Sequence, residues 1–326
     1  MKSYAMQFGD GQSTLELRDI AQPEPGPQQV LVQVRAAGLN RGEFIAGHGL
    51  GKAGPAKPVG MEAAGVVLKC GSGVTRFQAG DRVMGRCPGA FAEYALLDVR
   101  EAMAVPLGLT WVEAASIALT FLVVYDMLVM QGRLQREDWM LVAGVSSGVG
   151  VAAMQTAKAL GAKVIGTSGS AAKLERLATL GLDHGVCTRS ADFHAAVLQA
   201  TQGQGVNLVV NAVGGSVFAE CVRCMAFEGR FATVGYVDGV LNGEMDIEAL
   251  HAKRLTLFGV SNKLRTPQQR AQAVPGFTAD VLPLIASGRI KPVIDRVFPF
   301  AELAAAKAHM ESNSHVGKIV LAGFAA

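Results

Sequence analysis

The most constraining stretch of the chain runs from Trp139 to Ser168, WMLVAGVSSGVGVAAMQTAKALGAKVIGTS. Its first five residues form a continuous apolar run, too short for an amphipathic helix and suited to a strand buried on both faces. A turn of small residues, Gly144 to Gly150, follows. Beyond it Val151, Met154, Ala157, Lys158 and Leu160 recur at helical spacing up to Gly161, which stands where a helix C-cap belongs. Lys163 to Thr167 then reads as a second strand, so the stretch predicts a parallel β-α-β crossover of about thirty residues. A chain holding such a unit is committed to a parallel sheet with helices packed on its faces.

The composition of the turn suits an anion. Backbone N–H groups converge at a helix N-terminus with the positive end of the helix dipole, and bulky side chains would block the approach of a pyrophosphate. Gly148 and Gly150 leave that approach open, with Val149 between them, while the hydroxyls of Ser146 and Ser147 are suited to cap the helix or bond phosphate. The match to G-x-G-x-x-G is incomplete: with Gly150 as the third glycine, Val145 and Ser147 occupy the first two positions. The β-α-β context favours a dinucleotide site over a generic strand-turn-helix.

At the end of the second strand an NAD site usually carries an acid that bonds the ribose 2′-hydroxyl. Here the residue is Ser168, in GTSGSAAK, and no carboxylate repels a 2′-phosphate. Ser168, Ser170 and Lys173 are all suitable donors to such a phosphate, so NADPH is expected over NADH.

The 326 residues give room for two domains, and 50% of them are apolar, ample for buried cores. A net charge of only +3, without a basic stripe, argues against nucleic acid or an anionic membrane as partner. No apolar leader opens the sequence, and the apolar run Ala114 to Met130 is interrupted by Ser116, Thr120 and Asp126; a cytoplasmic protein is expected. Five cysteines without a leader suggest reduced thiols. Cys221 and Cys224 form a C-x-x-C in a helical pattern with no second pair, which reads as packing rather than a zinc site.

Before the central unit the chain is β-rich. Val30, Val32 and Val34 alternate, and Gly65 to Lys69, Asp81 to Gly85 and Ala90 to Leu97 are further strand candidates. A helical pattern follows from Trp111 to Leu134. After the unit, helices at Ala171–Leu180, Asp192–Thr201 and Val217–Met225 alternate with strands near His184–Cys187, Val206–Asn211, Gly229–Val234 and Leu255–Val260, as in a doubly wound sheet. A helix is expected from Pro267 to Ser287 and another from Ala301 to Glu311. The strand at Lys318–Leu321 is expected to rejoin the first domain.

Over essentially its full length the chain resembles the medium-chain dehydrogenase/reductase superfamily, in its zinc-independent quinone oxidoreductase branch. The matching pieces are QVLVQVRAAGLNRGEF, PVGMEAAGVV, GDRVMG, AFAEYALL, AGVSSGVG, GVNLVVNAVGG, GRFATVGY and SNSHVGKIVL. The resemblance implies a Rossmann domain inserted into a GroES-like β-rich catalytic domain, with segments 1–117, 118–264 and 265–326, and NADPH in the cleft between the two domains. Where zinc-dependent relatives place a cysteine and a histidine, this chain has Asn40 and Met61; amide and thioether do not replace thiolate and imidazole, and no bound metal is expected. Glu62, beside Met61, reads as a structural carboxylate.

The resemblance further implies that Asn40 lies near the nicotinamide and is the catalytic candidate. Expected cofactor contacts are Asn40, Ser146, Ser147, Gly148, Val149, Gly150, Ser168, Lys173, Thr188, Asn211, Val213, Val234, Gly235, Tyr236, Phe258, Val260, Ser261, Asn313 and Lys318, with Arg189 a weaker match beside Thr188. A tyrosine that some relatives bring to the substrate is replaced here by Glu43, Phe44 and Ile45. His48 is a candidate donor or a solvated loop residue, and Tyr125 reads as core. The implied activity is reduction of a quinone, with an enone or enoyl substrate as the alternative. A nucleotide-binding structural or regulatory protein, as lens crystallins of the branch illustrate, is the reading from another class. A homodimer formed through the apolar segment Phe231 to Ser261 is expected.

Overall fold

The computed structural model describes residues 1–9, 12–45 and 54–324. The chain divides into two compact units, one of residues 1–122, 262–287 and 294–326, the other of 123–261 and 288–293. The first unit thus keeps the chain up to Leu122 and takes it back at Asn262, compared with the expected boundaries at 117 and 264.

The first unit opens with β1 (Lys2–Gly9), β2 (Gln12–Asp19), β3 (Gln29–Gly38), β4 (Lys57–Pro58), β5 (Glu62–Cys70), β6 (Arg82–Arg86), β7 (Tyr94–Asp98) and β8 (Ala102–Ala104). The second contains β9 (Trp139–Ala143), β10 (Lys163–Ser168), β11 (His184–Cys187), β12 (Val206–Asn211), β13 (Met225–Thr233) and β14 (Thr256–Gly259). The chain then returns to the first through β15 (Ile294–Pro299) and β16 (Lys318–Ala322).

In the first unit a seven-stranded sheet runs β15-β16-β3-β5-β6-β8, with β7 also on β3. The C-terminal strand β16 lies antiparallel on β3, pairing Val320 with Gly38, so the end of the chain completes this sheet. Val30, Val32 and Val34 of β3 are buried with Phe91, Phe298 and Leu321 in one apolar core. Both faces of β3 are covered, because Leu31 and Ala36 are buried as well.

The second unit is the doubly wound sheet, a Rossmann arrangement of six parallel strands in the order β11-β10-β9-β12-β13-β14. The chain moves outward from β9 through β10 to β11 and then crosses back to β12 on the other side. This reversal between β9 and β12 opens a crevice at the carboxyl ends of those strands, the usual ligand position in such sheets.

Two expected helices are divided. The pattern from Trp111 forms helices at Trp111–Ile117 and Thr120–Tyr125 and a π-helical turn at Asp126–Gln131. This Trp111–Gln131 run has the length and apolarity of a membrane span, but 67% of its most apolar 18-residue stretch is buried inside the protein, as in a core helix. The stretch from Pro267 breaks into Pro267–Ala271, Ala273–Asp280 and Leu282–Ala286. Pro283 explains the last break: it has no N–H for the helical ladder and its ring clashes with the preceding turn.

Candidate functional site

At the carboxyl end of β9 the chain turns through Gly144, whose φ of +82° suits glycine, into the helix Gly148–Ala159. Ser147 caps this helix: its hydroxyl accepts from Gly150 N at 3.1 Å and donates to Gly144 O at 2.9 Å. A Cβ on Gly150 would lie 2.6 Å from Gly144 O and 2.7 Å from Val145 O, so only glycine lets the helix start this close to the strand. The first-turn N–H groups of Gly148 and Val149 have no place in the helical ladder, which makes them candidate anion donors.

Val213 stands beside this turn, since a Cβ on Gly144 would meet its Cγ2 at 3.3 Å. It is held there by Asn211, whose Oδ1 accepts from Val213 N at 2.9 Å and Gly214 N at 3.0 Å. Asn211 Nδ2 donates to Gly214 O at 2.9 Å, and the residue is only 1% exposed, so its side chain shapes the crevice wall. The N–H groups of Val234 and Gly235 donate to Asn211 O, tying the ends of β12 and β13 together, and Tyr236 follows, partly buried. Phe258 lies in β14, Val260 N donates to Thr233 O, and Ser261 is exposed beyond it.

At the end of β10, Ser168 is buried and Ser170 caps the helix Ala171–Ala178 by accepting from Lys173 N. A Cβ on Gly169 would lie 2.7–2.8 Å from side-chain atoms of Arg189. That guanidinium therefore rests against the backbone between the two serines. Thr188 is otherwise engaged: its hydroxyl bonds Asp192 Oδ1 at 2.6 Å and accepts from Ser190 N at 2.9 Å. Of the two neighbours, Arg189 presents the cationic donors and Thr188 shapes the loop.

In the first unit the chemistry gathers around Asn40. Lys318 carries only donors, and its Nζ lies 2.9 Å from Asn40 Oδ1, which fixes the amide orientation. Asn40 Nδ2 then donates to Glu43 Oε1 at 2.8 Å and to Glu62 Oε1 at 3.0 Å. Both amide hydrogens are engaged, and the remaining capacity of Asn40 is an acceptor lone pair on Oδ1. Lys318 also donates to Glu62 Oε1 at 2.6 Å and Leu39 O at 2.9 Å, so all three of its hydrogens have protein acceptors. Lys318 thus positions Asn40, with its ammonium hydrogens engaged by the protein.

Glu62 is fully buried, and its other oxygen accepts from Leu119 N at 2.7 Å. Gly38 makes room for it, because a Cβ there would come within 2.5 Å of Glu62 Oε1. Glu43 closes the cluster from a short 3-10 turn, Arg41–Glu43, and is 5% exposed. Burial pushes its carboxyl up to about 8, helped by the charge of Glu62 and opposed by the Asn40 hydrogen bond.

Asn313, with φ +56°, meets the turn that carries Glu43, its Oδ1 accepting from Arg41 at 2.7 Å. Tyr125 is buried, while His48 lies outside the described residues. Cys221 and Cys224 are fully buried, and burial holds both thiols protonated, Cys224 at about 12. Sequence reasoning missed Glu43 as a site residue. Its nearness to Asn40 in NRGE was visible, but its burial depends on Glu62 and Lys318, far along the chain.

Residues 26–107 match the family model described as alcohol dehydrogenase GroES-like domain, and residues 148–275 that described as zinc-binding dehydrogenase. The human synaptic vesicle membrane protein VAT-1 homolog is 31% identical over 323 residues, 94% of this chain and 82% of its own length. The mycocerosic acid synthase-like polyketide synthase of Mycobacterium tuberculosis is 30% identical over 311 residues, 94% of this chain, which spans only 15% of that much longer protein. Among solved structures, Escherichia coli quinone oxidoreductase complexed with NADPH is similar with a TM-score of 0.86 at 27% identity, over 99% of this chain and 100% of its own. CurK enoyl reductase gives a TM-score of 0.85 at 26% identity, over 99% of both chains.

Proposed function

Because the chain belongs to the medium-chain dehydrogenase/reductase superfamily, in its quinone oxidoreductase branch, we propose that it is an NADPH-dependent reductase acting on a quinone. The observation that carries this reading is the end of β10. Ser168 and the Arg189 guanidinium stand there with no carboxylate at the strand end to repel a 2′-phosphate. Lys173, at the start of the following helix, adds a second cation of the same sign.

When bound, NADPH supplies the hydride. The N–H groups of Gly148 and Val149 would hold the pyrophosphate at the helix N-terminus, and Val213, kept in place by Asn211, would form the apolar wall of the crevice. Asn40 presents a fixed acceptor oxygen, because Lys318, Glu43 and Glu62 leave its amide no other orientation. Quinones accept a hydride without a Lewis acid, since conjugation spreads the negative charge onto oxygen; binding and orientation are what the protein must add.

Among the described residues no group of three or more His, Cys, Asp or Glu could hold a metal ion, and the amide of Asn40 and thioether of Met61 are poor zinc donors. The matched zinc-binding dehydrogenase model lies over residues 148–275, outside the ligand positions Asn40 and Met61. The nearby Glu62 carboxylate already has the Lys318 ammonium as counter-ion at 2.6 Å. We therefore take the reductase to be zinc-independent, and turnover that survives chelation is the check.

The likeness to CurK enoyl reductase favours an enone or enoyl substrate as the second reading. Oxidation of NADPH followed by its absorbance, across matched panels of quinones and α,β-unsaturated carbonyls, separates the two by kcat/KM. NADPH binding without turnover of either panel would favour the structural or regulatory role instead.

We also take the protein to be a homodimer. β14 is an unpaired edge of the doubly wound sheet, with Leu257 39% exposed on it and Val240, Leu241 and Ile247 exposed in the preceding segment. An apolar edge of this kind invites pairing with a second copy. Light scattering at the mass of a single chain would rule this out.

A further inference from the structure

The Asn40 cluster holds one group whose chemistry the reductase reading does not use. Glu43 is 5% exposed, and its Oε2 is buried with no hydrogen-bond partner among the described residues. Its Oε1 shares the nitrogen of Asn40 with Glu62 Oε1, so two carboxyl groups converge on one amide. Among the described residues the one cation bonded within the cluster is Lys318, whose three hydrogens go to Leu39, Asn40 and Glu62 and none to Glu43. Arg86 of β6 couples to Glu43 through its charge, from a half-buried position. Glu62 and Lys318 are ion-paired at 2.6 Å; the charges of Lys318 and Arg86 reach Glu43 without a hydrogen bond and do not offset its burial, which favours the protonated acid.

We propose that Glu43 is the proton-dependent positioning residue of the site: as a neutral acid it supports Asn40 between two carboxyl groups, and on ionising it puts a second buried negative charge, beside that of Glu62, against that amide. The proposal rests on the reductase reading. Burial pushes the carboxyl up to about 8, so the change of state falls just above neutral pH. Its consequence follows from the reaction. Reduction of a quinone or enone builds negative charge on the acceptor oxygen, and a nearby buried anion raises the barrier to that step. A glutamine would fill the same space and satisfy Asn40 without the ability to titrate.

The test is the pH profile of kcat and KM for the best acceptor, in the wild type and in Glu43→Gln. The wild type should lose about tenfold in kcat as pH rises through the ionisation of Glu43, with KM for the acceptor little changed. Glu43→Gln should lose a few-fold at neutral pH and show no alkaline limb. Glu43→Asp should move the limb rather than remove it, which keeps the test open if the glutamine variant fails to fold. A side chain that merely packs would lower activity at every pH and leave the limb in place, and that result overturns the proposal.

Infrared titration reads the same group without turnover. A protonated carboxyl band present at neutral pH in the wild type, lost at alkaline pH and absent in Glu43→Gln is the expected result. If every acceptor fails to support turnover, the reductase reading falls and this titration still decides the protonation of Glu43. A band that titrates in the ordinary carboxylate range overturns it.

Discussion

At the carboxyl edge of the doubly wound sheet, the groups we propose for the nucleotide are backbone N–H donors and small side chains. Their geometry is set within a few residues, by Gly144, the Ser147 cap and the close approach at Gly150. The Asn40 cluster is assembled instead from Asn40 and Glu43 of one short turn, Glu62 of β5 and Lys318 of β16, three segments far apart in the chain. A local backbone cradle tolerates the loss of one side chain, because the helix terminus and its dipole remain. A buried charge cluster does not, since each member is the counter-charge or hydrogen-bond partner of another. The difference predicts that changes in the cluster act first on stability, and changes at the nucleotide edge first on affinity.

The largest effect is expected at Lys318. Lys318→Met strands the fully buried Glu62 carboxylate without its cation and should destabilise the protein by about 3–5 kcal/mol in denaturant unfolding. Replacing both partners, as in Lys318→Met with Glu62→Gln, should recover much of that loss, because no buried charge is then left unpaired. A single variant that loses less than about 1 kcal/mol would mean that water reaches Glu62, and the contrast between the regions would fail.

The contrast also marks what sequence could and could not reveal. The β-α-β unit and the alternation of a doubly wound sheet were legible because strand, turn and helix signals are local, and the return of the Lys318–Leu321 strand was expected from the β-rich character of the C-terminal segment; the order of the six strands was not legible and comes from the structure. The glycines and serine of the turn announced their conformations for the same reason. The engagement of Lys318, the closure of Asn211 on its own turn and the burial of Glu43 were not legible. Each depends on which partner the fold brings within 3 Å, and residue type alone reports a capacity to bond without naming the partner. The breaks after Pro267 were foreshadowed by Pro275 and Pro283, whose effect an apolar pattern conceals.

The second effect is in cofactor choice. Arg189→Ala and Lys173→Ala each remove a cation at the end of β10, where a charge-assisted bond to phosphate is worth about 1.5–3 kcal/mol, roughly ten- to a hundredfold in affinity. NADPH should weaken by up to that amount and NADH should change little, as read by calorimetry. Arg189 should show the larger loss, because its guanidinium lies against Gly169. Ser168→Asp should reverse the preference by setting a carboxylate against the 2′-phosphate. Equal losses for both cofactors would show that these cations act on overall charge rather than on the 2′-phosphate.

The smallest effect tests whether the turn works through its backbone or its hydroxyls. Ser147 Oγ is already engaged on both sides, accepting from Gly150 N and donating to Gly144 O, so it has little left for a ligand. Ser147→Ala should therefore behave as the loss of a helix cap, costing about 1 kcal/mol of stability. NADPH affinity should stay within about twofold, since the N–H groups of Gly148 and Val149 keep their places. Thermal unfolding and calorimetry on the same variant separate the two readings. A stable protein that binds NADPH an order of magnitude more weakly would assign the hydroxyl to the phosphate, and the nucleotide edge would then depend on side chains much as the Asn40 cluster does.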